Sequence, residues 1–558
     1  MTYPEILQRL KSQCSYLTDD GCAVVFVAAR AGDEAASAVA ASFRASLSRH
    51  GLAGTVVAAG SFGYEGLEPI AVVRKAGGPF VLYPRVTPEA VSTIFDAHLA
   101  GPGPVPEMAL CILGETGQGG IPGASDLPFF RRQTRIALRN CGLIDPEEID
   151  AYVAAASGYK GLHKALEMDP SQVIEEIRAS ALRGRGGAGY RTAEKWAACR
   201  DAGGSEKFVV CNGLDADPLA RCGRLLLEGD PHSVLEGALI AAYAVGAGRS
   251  IICLDSTHRA AIGRVRKALD QMKSYGLLGR NVLGSQFSVE VEVKEIPPSF
   301  LGGEETALLK VIEGRQAMAA LRPPYPSTRG LSGLPTVVNS AETLADVSAI
   351  LQRGSGWFSA IGTEASKGSK VVTLAGDVTV KATVEVPFGT SLRTLIEEVG
   401  GGMPPGKSLK AVRIGGPTGA FVGADALDRT LDYETAEKNG TIIGSGTVEV
   451  FADDACPVEM AFDAVSFLQA QSCGKCVFCR EGTLQMTDVL KSIVEQTGTA
   501  QDLELLNELA AQMPAGCLCG LGKGAPNAFL STLRLFRDEY DAHLKGKGCT
   551  AKTVKSGP

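Results

Sequence analysis

The chain has 558 residues, 45% of them hydrophobic and 21% charged; this ordinary globular balance excludes a disordered or fibrous protein, and at roughly 100 to 200 residues per domain it requires several folded units. A formal net charge of −7 argues against nucleic acid or an anionic membrane surface as partner. No apolar stretch approaches the roughly 18 residues of a membrane span, so no direct membrane insertion is expected and membrane association is left to partners.

In chain order, MTYPEILQRLKSQC carries the apolar spacing of an amphipathic helix. It has none of the basic, apolar and small-residue segments of an export signal, so the expected location is the cytoplasm. Residues 1–125 then alternate strand-like AVVFVAA, TVVAA, IAVVRK and PFVLYP with helix-like DEAASAVAASFRASLSRHG and TPEAVSTIFDAHLAG, the order of a thioredoxin-like α/β domain. A Gly- and Pro-rich stretch, GPGPVP through GETGQGGIPGAS, closes it. Residues 126–335 alternate strands (KFVVCN, SIICLD) with long helices (SVLEGALIAAYAVG, THRAAIGRVRKALDQMKSYG), which predicts a Rossmann-like layered α/β domain. Residues 336–445 turn strand-rich around one helix, SLRTLIEEVGG, and suggest a ubiquitin-like β-grasp module. Residues 446–545 read as a C-terminal helical bundle that holds a cysteine cluster, with 546–558 as a tail. The fold class is therefore multidomain α/β.

Fifteen cysteines in a cytosolic chain point to metal ligands or buried thiols rather than disulfides. Cys473, Cys476 and Cys479 stand in SCGKCVFCREG, and Cys-x-x-Cys-x-x-Cys brings three thiolates from one turn to three corners of a cubane. Cys517 and Cys519, in AGCLCGLGKGAP, follow a helical stretch able to return the chain to that loop, and either supplies a fourth thiolate. Zinc also takes four thiolates, but it usually pairs two Cys-x-x-Cys units, so the pattern favours a 4Fe-4S cluster.

In RGRGGAGYRTAEKW, residues 183–196, Gly184, Gly186 and Gly189 have the spacing of a dinucleotide-binding turn. The preceding SQVIEEIRASAL is helical in period, which predicts a helix–loop–helix phosphate cradle rather than a strand–turn–helix one. Lys195 adds a positive charge. A tight turn that binds nothing is the competing reading of this loop.

This loop, followed by LEGDPHSVLEG, GLLGRNVLGS, GGEETALLKVIEG, RPPYPSTRGLSGLPTVVNSAETLA and SCGKCVFCREGT, closely resembles the flavin-binding subunit of respiratory complex I. It also resembles the corresponding subunits of NAD-linked formate dehydrogenases, soluble hydrogenases and benzoyl-CoA reductase complexes. The resemblance is collinear from about residue 126 to 545. It implies FMN, one 4Fe-4S cluster and NAD(H) as substrate. Gly184, Arg185, Gly186, Gly187, Ala188, Gly189 and Lys195 would line the FMN phosphate and ribityl chain, and Asn212 would touch the flavin. Gly303, Glu304 and Glu305 would lie beside the isoalloxazine, the two glutamates as the candidate catalytic pair, with Val338, Asn339 and Ser340 on another side. Without the resemblance, Glu304 and Glu305 read as solvated carboxylates at a helix start. Phe300 would face the nicotinamide, Tyr190 and Tyr325 the adenine, and Asp217 would help hold NADH. The resemblance also selects Cys519 over Cys517 as fourth cluster ligand.

The sequence departs from this family in two places. Where relatives carry an acidic residue near the flavin, this chain has Leu214; Asp217 replaces an often longer acid, and Ala198 stands where relatives can carry a stacking Phe. In hydrogenase relatives the N-terminal domain holds a 2Fe-2S cluster, but here Ser61 and Tyr64 occupy the cysteine positions of GSFGYEG, and Cys14 and Cys22 precede the first strand. A docking domain without a cluster is expected. A hydride carries two electrons and a cluster accepts one, so a flavin stands between them. The expected function is passage of electrons between NAD(H), FMN and the cluster, in a complex with a small thioredoxin-like 2Fe-2S subunit and further iron–sulfur or catalytic subunits. The alternative is a flavin-loaded relay or docking subunit with no productive NADH site.

Overall fold

The protein is described by a computed structural model covering residues 1–10, 21–114, 116–204 and 206–549. The far end of the expected N-terminal helix, Cys14 and the last nine residues of the tail lie outside the described residues. Three sheets and a set of helices follow one another along the chain, a mixed α/β multidomain architecture.

The first sheet has five strands, in the order Gly54–Ala59, Ala23–Ala28, Ile70–Arg74, Phe80–Tyr83 and Cys111–Leu113. Its strand Ala23–Ala28 is buried throughout. Alternate residues serve opposite faces, as a pleated strand requires. Val25 and Val27 pack with Val39 and Phe43 of the helix Glu34–His50, whereas Val24 and Phe26 pack with Phe62 and Leu67. The helix is fixed at both ends: the Asp33 side chain accepts from Ala36 N–H, and Gly51, at φ 63°, takes the left-handed turn that ends it.

The second sheet has four parallel strands, Glu290–Ile296, Arg249–Asp255, Phe208–Gly213 and Thr336–Ser340 in spatial order. The helix Pro231–Val245 is apolar almost all round and buried accordingly. It packs against the equally buried helix Ala341–Arg353. The third sheet is mixed, in the order Ala382–Pro387, Ser369–Gly376, Thr447–Ala452, Leu409–Ile414 and Ala420–Gly423. The helices Pro457–Ala470, Val477–Val494, Ala500–Gly516, Asn527–Leu535 and Arg537–Leu544 complete the chain.

Three expected borders move. Thr336–Ser340 pairs with Phe208–Gly213 in the second sheet, so the border expected at 335/336 falls after this strand and its following helix. Thr447–Ala452 pairs with Ser369–Gly376 and Leu409–Ile414, so the third sheet reaches past the expected limit at 445. Tyr3 and Ile6 of the first helix pack not on the first sheet but in the large core with Ile136, Tyr152 and Tyr159. Each displacement has one cause: a strand's or helix's partner is chosen by long-range packing, which local composition does not record. No helix among the described residues is long and apolar enough to cross a membrane.

Candidate functional site

The glycine-rich loop lies between the helices Pro170–Ser180 and Thr192–Asp201. It is closed on itself by Gly184 N–H to Tyr190 O at 2.8 Å and Thr192 N–H to Leu182 O at 3.0 Å. Gly187 and Gly189 take φ of 117° and 61°. A Cβ at Gly189 would stand 2.5 Å from the Tyr433 ring, so glycine is required there for both conformation and space. From the third sheet's unit, the Tyr433 hydroxyl donates to Gly184 O at 2.9 Å and its ring lies under the Arg183 guanidinium at 4.1 Å. Arg185 turns the other way. Its side chain is wholly buried beside Asp346, over Phe388, and donates to Lys367 O, leaving only backbone toward the loop's open side.

This loop forms one wall of a cleft of about 510 Å³, within the roughly 300 to 1,000 Å³ of small-molecule sites. Gly184 to Gly189, Lys195, Asn212, Asp217, Phe300, Gly303, Glu304, Glu305, Val338, Asn339 and Ser340 all line it. Tyr190 stands at the cleft, 60% exposed; Tyr325, also exposed, is not among its lining residues. Glu304 caps the helix Glu305–Ile312, accepting from Thr306 and Ala307 N–H, both at 2.9 Å. Glu305 pairs with Lys195 Nζ at 2.7 Å, and Arg322 bridges both carboxylates, at 3.1 Å from Glu304 and 3.4 Å from Glu305. Lys195 also donates to Val338 O at 3.0 Å. Asn212 donates to Gly303 O at 3.0 Å, and Asn339 accepts from the buried Trp196 indole at 2.9 Å. Ser340 caps the helix Ala341–Arg353.

Asp217, at the cleft, also has a structural role. Its carboxylate is buried and accepts from Ser445 Oγ, from Thr447 Oγ1 at 2.6 Å and from Leu219 N–H at 3.0 Å. It joins the second sheet's unit to the third while still lining the cleft. Leu214 packs toward Val210 and Ile251. Sequence reasoning also passed over four lining residues. Asp215 accepts from Gly223 and Arg224 N–H, both at 2.8 Å, while burial pushes its carboxyl up. Cys222 donates to Glu342 at 3.4 Å, and burial, then the Glu342 charge, raise its thiol. Glu342 is itself held by the buried Lys370 ammonium at 2.6 Å. Arg322 is the fourth; it lies 17 and 18 residues beyond the glutamates it pairs with, a separation that local spacing does not reveal.

The cysteine loop adjoins this cleft. Gly520 and Leu521, directly after Cys519, line it. The Phe300 ring meets Phe467 edge-on at 5.6 Å, Phe300 N–H donates to Gln471 at 2.9 Å, and Lys475 reaches Ala319 O at 2.9 Å. Cys473, Cys476, Cys479, Cys517 and Cys519 all fall in one apolar core. Burial raises the Cys479 thiol, and the neighbouring Cys519, Cys473 and Cys476 add to the rise. Burial pushes Cys517 up to about 12 and raises Cys519. The last is opposed by the Gly522 and Leu521 N–H groups at the start of the following helix. Mutually repelling thiolates in an apolar core are the donor set of a cationic iron–sulfur group. A glycine-lined cleft of this size, with a cationic side chain on its wall, likewise suits a phosphate-bearing flavin.

Residues 177–349 match the Nuo51 FMN-binding domain, and residues 459–543 match the NADH-ubiquinone oxidoreductase-F iron–sulfur binding region. The chain is 43% identical over 421 residues to HndC, a subunit of the NADP-reducing hydrogenase of Solidesulfovibrio fructosivorans, covering 75% of this chain and 86% of that one. It is 37% identical over 415 residues to the second F-type chain of the NADH-quinone oxidoreductase of Rhizobium meliloti, covering 74% of this chain and 98% of that one. Among solved structures, an air-oxidised NAD+-reducing [NiFe]-hydrogenase matches with a TM-score of 0.65 at 25% identity, over 97% of this chain and 88% of that one. The H2-reduced form of such an enzyme shares the fold, with a TM-score of 0.66 at 24% identity, over 97% and 93%. The chain belongs to the Nuo51, or NADH-ubiquinone oxidoreductase-F, family of FMN- and iron–sulfur-carrying oxidoreductase subunits.

Proposed function

We propose that this chain is the electron-input subunit of a multi-subunit oxidoreductase, oxidising NADH in the cleft and passing electrons through the cysteine-rich unit to a partner. When bound, FMN accepts a hydride's electron pair and a 4Fe-4S cluster takes electrons one at a time. The observation that carries the reading is the joining of three features at one cleft: the glycine-rich wall, the Glu304–Glu305 pair, and the segment that follows Cys519.

On this reading the Gly184–Gly189 backbone N–H groups hold the flavin phosphate, helped by the start of the helix Thr192–Asp201. Lys195 Nζ and Arg322 pair with the Glu305 carboxylate and fix its direction. Glu304, spent on capping, sets where that helix begins. Phe300, packed against Phe467, keeps water from the path between cleft and cysteine loop. Cys473, Cys476, Cys479 and Cys519 hold the cluster. The first unit is thioredoxin-like, the second Rossmann-like, the third a ubiquitin-like β-grasp and the last a helical bundle, which the strand orders support. The partner is a small thioredoxin-like 2Fe-2S subunit with further iron–sulfur or catalytic subunits, through which the complex can reach a membrane.

Anaerobic titration of the full chain with NADH, its FMN and iron content measured first, tests this. Bleaching of the flavin absorbance near 450 nm together with a reduced-cluster EPR signal is the expected result. If dithionite reduces both centres while NADH reduces neither, Leu214 and the engaged Asp217 carboxylate have cost the chain its nucleotide site, and the proposal fails in favour of a relay subunit.

A further inference from the structure

A second group of metal-binding side chains lies in the same helical unit and shares no residue with the four-cysteine set. Cys456 precedes the helix Pro457–Ala470, His543 lies in the last turn of Arg537–Leu544, and Cys549 follows in the C-terminal segment. Their donor atoms all lie within 4.8 Å of one another, and Cys456 and His543 are 7% and 4% exposed. Cys456 Sγ is 3.4 Å from His543 Nε2. Zinc bonds of about 2.3 Å to sulfur and 2.0 to 2.1 Å to nitrogen give a tetrahedral edge of about 3.6 Å between such a pair.

The imidazole is also set in the right tautomer. His543 Nδ1 lies 3.1 Å from Ile493 O, and a carbonyl can only accept, so Nδ1 carries the hydrogen and the Nε2 lone pair faces the Cys456 sulfur. A backbone carbonyl behind the ring is a usual support of a metal-ligating histidine. Glu539 stands at the fourth side: its Oε2 accepts from Cys549 Sγ at 2.8 Å, while its Oε1 pairs with Lys410 at 2.8 Å.

We propose that Cys456, His543 and Cys549 bind one structural Zn2+, with the Glu539 carboxylate or a water at the fourth corner. Two sulfur donors and one nitrogen donor, two of the three buried, select zinc over calcium or magnesium. Binding releases the two thiol protons to solvent and changes no oxidation state. The ion pins the segment around Cys549 to the start of the helix Pro457–Ala470. Ile493 and Cys479 share the helix Val477–Val494 fourteen residues apart, roughly 21 Å at 1.5 Å per residue, so the zinc stands well away from the cluster end of that helix and steadies the scaffold rather than carrying electrons.

The test is metal analysis and zinc K-edge X-ray absorption on the full chain, purified anaerobically without a polyhistidine tag or added zinc. One zinc per chain with two sulfur neighbours and one imidazole is expected. Cys456→Ser and Cys549→Ser should each lower zinc at least tenfold while iron stays at its wild-type level, and Cys473→Ser should do the reverse. A wild-type chain without zinc overturns the proposal. So does zinc surrounded by four sulfurs, or zinc that disappears with Cys473→Ser and persists in Cys456→Ser. The wild-type spectrum decides the matter even if a variant fails to fold.

Discussion

Cys517 and Cys519 are two residues apart in one core, and the structure distinguishes them. A Cβ added at Gly522 would meet Cys517 Sγ at 2.7 Å, so that thiol is packed against the Gly520–Gly524 helix with no room to turn. Cys519 stands at the N-cap position of the same helix, where the Gly522 and Leu521 N–H groups offset part of the rise that burial imposes on its thiol. Cys519→Ala should therefore lose the cluster's iron, whereas Cys517→Ala should keep it at a modest loss of stability; iron and acid-labile sulfide per chain are the readout. Gly189 is similarly exacting. Gly189→Ala places a methyl 2.5 Å from the Tyr433 ring in a left-handed conformation, so the loop must shift. A cost of about 1–3 kcal/mol should appear as at least a roughly fivefold loss of FMN affinity, measured by flavin retained after dialysis.

Between elements, Asp217 serves as a clamp. Its partners Ser445 and Thr447 lie 228 and 230 residues away in the chain, and Gly416 leaves room for its carboxylate, since a Cβ there would stand 2.2 Å from an Asp217 oxygen. Asp217→Ala strands buried hydroxyl and backbone donors and should destabilise the protein by about 2–4 kcal/mol. The drop in melting temperature should exceed that for Glu305→Gln at the cleft. If instead the stability holds and only the NADH KM rises, the residue binds nucleotide and is no clamp. In the first unit, His98 is 2% exposed and its Nδ1 shares a hydrogen bond with the Tyr83 hydroxyl at 3.1 Å, while that hydroxyl accepts from Val105 N–H. Burial, then the Lys75 charge, depress its imidazole to about 4 from 6.5. The folded state thus binds fewer protons between those values, so stability present above about pH 6.5 is lost as pH falls toward 4. At pH 5 the loss amounts to about 2 kcal/mol. His98→Gln should flatten the fall in melting temperature between pH 7 and pH 5.

At the scale of the whole molecule, the first sheet's unit is wedged against both of its neighbours. Gly60 meets Gly229, Gly63 O accepts from Thr383 N–H at 2.7 Å, and Tyr64 stacks on Phe129 at 4.1 Å. Ser61, at one of the positions where hydrogenase relatives carry cysteine, donates to Glu68 and accepts from Gly63 N–H. Glycines at both contacts permit backbone-to-backbone approach, so a side chain there should separate the units. Gly60→Val should split one thermal transition into two, read by calorimetry on the full chain, with the iron content unchanged because the cysteine loop lies in another unit.

Local spacing alone determined a good part of this protein. Three cysteines three residues apart, a run of glycines between two helical periods, and a glycine pair before two glutamates each encode a shape within one turn of chain, where neighbouring residues have little choice. The tertiary structure decided what depends on partners hundreds of residues distant. Thr336–Ser340 and Thr447–Ala452 read as strands in isolation, but only pairing assigned them to their sheets. Arg185 looked like a phosphate ligand until Asp346, Phe388 and Lys367 drew its guanidinium inside. Asp217 reads as a nucleotide ligand, and only the assembled core shows that Ser445 and Thr447 also bond its Oδ2 from the third sheet's unit. A charged side chain's role is set by what desolvates and pairs it, and that is a property of the assembled core rather than of the segment that carries it.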